Sequence, residues 1–171
     1  MTFYLIEDWE GARKRILKSI NSWDGQNCFW INTSGNALDN ASNETVNYEN
    51  PLPNLFVHNI VGLINDDSIF LVDLALNQNE RDAVEEKYDK ERPGAVFTAY
   101  TAASIIRVLK ENNTHAKIKV ISSVDKIKEG WEVSLSEITN EDWFNTIHFI
   151  PSSKVAKAHL YDAVKRELLC N

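Results

Sequence analysis

Several kinds of residue are scarce in this chain of 171 residues, and each scarcity excludes a class of protein. Only two cysteines are present, Cys28 and Cys170, which are too few for a disulfide framework or a cysteine-rich zinc site. The six glycines form no phosphate-binding loop. No apolar run approaches the roughly 20 residues that a membrane span needs. Glu7 and Asp8 interrupt the first apolar segment, so we expect no signal peptide and a cytoplasmic location.

Positive charge is also in deficit. Lysine and arginine number 18 against 25 aspartates and glutamates, which gives a formal net charge of −7. Such a balance disfavours binding to nucleic acid or to an anionic membrane. The cationic residues of the first predicted helix, Arg13, Lys14, Arg15 and Lys18, are not clustered with aromatic residues, which predicts a solvated face. We therefore expect a protein partner, while the oligomeric state stays open.

Short apolar runs alternate with amphipathic segments along the whole chain. Strands are predicted at 3–6, 28–31, 69–72, 118–121 and 147–150, and helices near 8–20, 55–64, 94–110 and 154–169. This alternation predicts one α/β domain over residues 1–171, a three-layer α/β/α sandwich of flavodoxin-like type with a mostly parallel five-stranded sheet. Two polar segments, 32–54 and 77–92, are predicted to be insertions, the second as a solvated loop or an exposed helical segment.

Polar residues follow three of the predicted strands at the point where each strand ends. Glu7 and Asp8 follow the first strand, Asp73 follows the strand at 69–72, and Ser122 follows the strand at 118–121. The carboxyl ends of parallel strands meet at one edge of a sheet, where sites in open α/β folds form. Carboxylate and hydroxyl oxygens suit a hard cation such as Mg²⁺.

This arrangement resembles the receiver domain of two-component response regulators. Leu5-Ile6-Glu7-Asp8 resembles its acidic pair, Phe70-Leu71-Val72-Asp73-Leu74 its acceptor strand, Val120-Ile121-Ser122-Ser123 its switch hydroxyl with a small neighbour, and Phe149-Ile150-Pro151 the end of its last strand. The resemblance implies that Asp73 is the phosphoacceptor, that Glu7, Asp8 and Asp73 bind Mg²⁺, and that Ser122 is the switch hydroxyl. It implies a signalling module that is not an enzyme and that works with a kinase or an output protein.

Other interpretations of the same residues stay open. Ile150 stands where receivers have a lysine, and Lys154 is the next cation along the chain, so a degenerate pseudo-receiver acting by protein binding is an alternative. Asp8 is also placed to cap the first helix, and Asp73 to cap the segment after it. A different class is a small acidic inhibitor or immunity protein that neutralises a toxin. Tryptophans in polar surroundings, such as Trp9 and Trp143, would then be binding anchors.

Overall fold

The structure is a computed structural model that describes residues 1–40, 42–82, 99–122, 141–151 and 161–169. Its strands are β1 (Thr2–Ile6), β2 (Asn27–Ile31), β3 (Ala37–Leu38), β4 (Ser68–Asp73), β5 (Lys117–Ser122) and β6 (His148–Pro151). They form one sheet in the order β3-β2-β1-β4-β5-β6. All neighbouring strands are parallel except β2 and β3, which form an antiparallel pair. The prediction of an α/β fold with a mostly parallel sheet is confirmed.

Residues 78–82 are helical, and the described residues also contain four further α-helices and one short 3₁₀ helix. They are α1 (Glu10–Asn21), α2 (Asn54–Val61), α3 (Tyr100–Asn112), α4 (Tyr161–Leu169) and the 3₁₀ helix Phe144–Thr146. The predicted helix at 94–110 is found from Tyr100 onward, and residues 94–98 lie outside the described residues. The first part of the predicted last helix, 154–160, lies outside them too.

The central strands are apolar on both faces because each face is covered. Phe3 and Leu5 of β1 pack in a core with α1 residues and with Leu168 of α4. Tyr4 and Ile6, which alternate with them, pack in a second core with residues of α2 and α3. Strands that are buried on both faces need continuous apolar sequence, and this explains the runs in β1 and β4.

The first polar segment, 32–54, is more structured than a loop insertion. It contains β3, an edge strand that the sequence did not predict, which forms a hairpin with β2. It also contains Tyr48, which is buried between strands and helices. The Tyr48 hydroxyl donates a hydrogen bond to the Ile31 carbonyl at 2.5 Å and accepts one from the Trp30 Nε1–H at 3.1 Å. One buried tyrosine thus fixes the segment against β2.

Gly35 in the β2–β3 turn is expected to resist substitution. Its φ is +80°, and a Cβ atom there would lie 2.6 Å from the Phe56 carbonyl oxygen of α2. Gly35→Ala is therefore expected to lower the free energy of unfolding by about 2–4 kcal/mol. Gly25→Ala is the matched control, since Gly25 has a φ of +72° with no atom within 4 Å of the added Cβ. Urea denaturation should show a loss of only about 1 kcal/mol there, and equal losses would refute the steric argument.

Candidate functional site

The candidate site lies at the carboxyl edge of the sheet, between β1 and β4. From β1 the chain passes to β2 on one side and later to β4 on the other, so the order of strands reverses at this point. Crevices at such reversals are where open α/β sheets bind ligands. Glu7 and Asp8 directly follow β1, and Asp73 is the last residue of β4. One carboxylate oxygen from each of these three residues lies within 4.8 Å of the others, a spacing that could hold a metal ion.

The surroundings of Glu7 favour its protonated form. Its side chain is buried, and its Oε1 accepts a hydrogen bond from the Trp9 backbone N–H at 3.0 Å. Burial raises the pKa of Glu7 well above its ordinary value, and the nearby Asp73 charge raises it further. The Trp9 hydrogen bond and the Arg13 and Arg15 charges act in the opposite direction. Ionisation of Asp73 therefore disfavours ionisation of Glu7.

Asp73 stands at the centre of the site. Its Oδ2 accepts a hydrogen bond from the Ala75 backbone N–H at 3.0 Å, which orients the carboxyl at the strand end. Burial raises the pKa of Asp73 from 3.8 to about 7, although backbone N–H groups of Ala75 and Leu74 act to lower it. The negative charge of Glu80 also raises it. A cation bound beside Asp73 would act in the opposite direction to burial and would lower this pKa.

Asp8 does not cap α1, which corrects that interpretation of the sequence. The residue before the helix is Trp9, and no side chain makes a capping hydrogen bond there. The Asp8 side chain instead forms an ion pair through its Oδ2 with Arg81, and it is buried. Residues 78–82 are helical, so Arg81 reaches the site from the beginning of the second polar segment. The Asp8 Oδ1 is not part of this ion pair, so it is the oxygen that would bind a cation at the site.

Arg13 corrects the prediction that the basic residues of α1 form a solvated face. It is fully buried, whereas Lys14, Arg15 and Lys18 are exposed. Its guanidinium donates to the carbonyl oxygens of Glu7 at 3.2 Å and of Asp8 at 2.9 Å. It also donates to the Ser42 carbonyl at 2.9 Å and to the Glu44 carbonyl, and it stacks on Trp30 with 4.3 Å between the guanidinium carbon and the ring centroid. Arg13 therefore fastens residues 42–44 to the end of β1.

Glu80 is a second residue that the sequence analysis missed. It was predicted within a solvated segment but is buried. Its Oε2 accepts a hydrogen bond from the Leu76 N–H at 2.8 Å, and its Oε1 accepts one from the Thr101 N–H at 3.0 Å. Burial raises the pKa of Glu80, and these hydrogen bonds act to lower it. Glu80 joins the loop after β4 to the beginning of α3.

The receiver-like pattern has two further positions, those of the switch hydroxyl and of the lysine. The backbone of Ser122 ends β5, one residue beyond Ile121, whose Cα pairs with that of Asp73. Ile150, at the position of the receiver lysine, is buried in the core that α1 covers. Ser123 and Lys154 lie outside the described residues.

None of the helices in the described ranges has both the length and the apolar character of a membrane span. Comparison with protein-family models, curated proteins and solved structures gave no match to this chain.

Proposed function

We propose that this chain is a receiver-like signalling module that binds Mg²⁺ through Glu7, Asp8 and Asp73, with Asp73 as the phosphoacceptor and Ser122 as the switch hydroxyl. The observation that carries this proposal is the meeting of the three carboxylates within 4.8 Å at the reversal point of the sheet. Their donor set fits the ion, because Mg²⁺ prefers a few carboxylates with waters completing its shell. A bound cation would offset the repulsion between Glu7 and Asp73 and the charge on a phosphoryl group.

The topology supports the same proposal. When the edge strand β3 is set aside, the strands follow the order 2-1-3-4-5, which is the order of doubly wound flavodoxin-like sheets. Alternate residues of β1 belong to two cores, one covered by α1 and α4 and the other by α2 and α3. We infer from this a three-layer α/β/α sandwich.

The loop at residues 42–48, which contacts the site, gives the proposed module a way to signal its charge state to a protein partner. The Val46 N–H donates to the Asp8 carbonyl at 3.1 Å, and the Tyr48 N–H donates to the Leu76 carbonyl at 2.9 Å. This loop is therefore bonded to the chain just beyond β1 and just beyond β4. In the proposed function, a change of charge at Asp73 alters the separation of these two strand ends, and the loop moves with them.

A protein-binding module without phosphotransfer is the second candidate. Two observations favour it: the buried Ile150 at the lysine position, and Arg81 already paired with Asp8. Trp9 is 52% exposed beside the carboxylates, and an exposed tryptophan is a common anchor in protein interfaces. Such a module would be a pseudo-receiver or an acidic inhibitor of a protein such as a toxin.

A magnesium titration followed by tryptophan fluorescence tests the proposal. Trp9 is bonded to Glu7 through its backbone, so we expect a saturable change that Trp9→Phe abolishes. Asp73→Asn is expected to weaken Mg²⁺ binding at least about tenfold, because one charged ligand is lost. Asp66→Asn, an equal charge change at an exposed position, should leave the titration unchanged.

Adding beryllofluoride, which mimics a phosphoryl group on aspartate, separates the two candidates. A phosphoacceptor at Asp73 predicts a second saturable change that requires both Mg²⁺ and Asp73. The second candidate predicts no beryllofluoride effect. If Asp73→Asn binds Mg²⁺ as well as the unchanged protein does, the cation site itself is refuted.

A further inference from the structure

Lys110 of α3 is a buried cation without an anionic partner among the described residues. Its side chain is 2% exposed. Its Nζ donates to the Thr114 carbonyl at 3.0 Å and to the Thr146 Oγ1 at 2.9 Å, and both oxygens are neutral. A lysine ammonium has three N–H donors, so one donor remains beyond these two bonds. Buried lysines are rare unless they are paired, which makes this position unusual.

Lys110 lines a pocket that collects further cationic side chains. The pocket has a volume of about 230 Å³ and lies at the amino end of β5, at the opposite end of the sheet from the carboxylates. The first residue of β6, His148, pairs with Lys119. β5 begins two residues earlier, at Lys117, so the start of β5 has no paired strand on the β6 side, and the pocket lies there. Its lining includes Lys110, Lys117, Lys119, His115 and His148, and no lining residue that the structure describes is acidic. The Lys119 Nζ also donates a hydrogen bond to the Glu167 carbonyl of α4, so Lys110 and Lys117 are the lysines on which the pocket depends.

We propose that this pocket binds a phosphate-type oxyanion, either inorganic phosphate or the phosphate group of a small ester. Lysine ammonium groups are strong donors to phosphate oxygens. The volume exceeds the roughly 30 Å³ that one water occupies, so it admits a tetrahedral anion with some of its hydration. The chain as a whole is acidic, with a net charge of −7, so a pocket whose described lining has lysines and histidines but no carboxylate is a local exception.

The cost of burying the Lys110 charge also favours anion binding in this pocket. Burial lowers the pKa of Lys110, and no carboxylate of the described residues acts to raise it. An anion in the pocket would supply the missing opposite charge and would stabilise the ammonium form. Because Lys117 is only partly buried, the pocket is open to solvent, and binding should weaken as ionic strength rises.

Histidine NMR provides a test within the folded protein. His115 and His148 line the pocket, whereas His58 is exposed on α2. Titration with sodium phosphate at constant pH and constant ionic strength should shift the imidazole signals of His115 and His148 along one saturable curve. His58 should not follow that curve. Glycerol phosphate as a second ligand identifies the source: tighter binding of the ester indicates a phosphate ester, and tighter binding of phosphate indicates the free anion.

Matched variants complete the test. Lys117→Gln removes one charge from the pocket and is expected to weaken phosphate binding about tenfold. Lys18→Gln makes the same charge change on the exposed face of α1 and should alter the dissociation constant less than twofold. Three results would overturn the proposal: no saturation, equal shifts with sodium chloride alone, or equal weakening by both variants.

Discussion

Replacing Arg13 with methionine is expected to lower the free energy of unfolding by about 3–5 kcal/mol. The guanidinium is fully buried. It donates hydrogen bonds to the carbonyl oxygens of Glu7 and Asp8 after β1 and to those of Ser42 and Glu44 in the loop. Methionine fills much of the volume but leaves these acceptors without their donor. It also removes the cation over the ring of Trp30. Urea denaturation measures the loss directly.

Two controls make the Arg13 result specific. Arg13→Lys keeps the charge but cannot reach several carbonyls with one planar fork, so about half of the loss should remain. Lys18→Met changes an exposed residue of the same helix and should alter stability by less than about 0.5 kcal/mol. Hydrogen exchange should be faster at the Val46 and Tyr48 amides in Arg13→Met. A variant as stable as the unchanged protein would mean that Arg13 does not hold the loop.

Asp73→Asn is expected to stabilise the protein above neutral pH. The pKa of Asp73 is raised from 3.8 to about 7, so the folded state holds its proton more tightly than the unfolded state does. The stability from this group is complete below about pH 4 and is lost as pH rises through about 7. The loss in the unchanged protein should be on the order of 2–4 kcal/mol. Asparagine carries no charge, yet its oxygen still accepts from the Ala75 N–H.

Stability measured as a function of pH checks this expectation. The unchanged protein should lose stability between pH 4 and 7, and Asp73→Asn should show a smaller slope and higher stability at pH 8. Asp66→Asn, which changes an exposed carboxylate, should keep the original slope. Saturating Mg²⁺ should restore stability to the unchanged protein at pH 8 but not to Asp73→Asn. Stability that rises with pH across this window would contradict the raised pKa.

The parallel sheet could be predicted because its strands need apolar residues on both faces. The runs at Phe3–Ile6 and Ile69–Val72 are typical of strands that are covered on both faces, and all of their residues are buried. Once these strands are parallel, their ends share one edge, so the meeting of Glu7, Asp8 and Asp73 follows from the pattern. β3 was missed because two residues carry no periodic signal.

The inner partners of the site could not be predicted in the same way. Arg13 lies three, four and seven residues before Ile16, Leu17 and Ile20, so helical spacing already placed it on the apolar face. Its charge nevertheless predicted an exposed side chain. Arg13 is buried because backbone carbonyl oxygens accept hydrogen bonds from its guanidinium, and these acceptors could not be identified from the sequence. Glu80 has no such local signal. Its hydrogen bond to Thr101 joins positions 21 residues apart, and tertiary contacts of this kind leave no mark on the sequence nearby.

The parallel direction of β4 and β5 has an electrostatic consequence for the whole molecule. The carboxylates lie beyond one end of these strands and the lysine and histidine pocket lies at the other, so the strands separate a negative pole from a positive pole. Six residues of strand span about 20 Å, which is more than twice the screening length of about 8 Å at physiological salt. At that salt concentration each pole would act independently on the ligand proposed for it. At low salt the two poles act together as a dipole, and a charged partner is turned toward one end of the sheet before it makes contact.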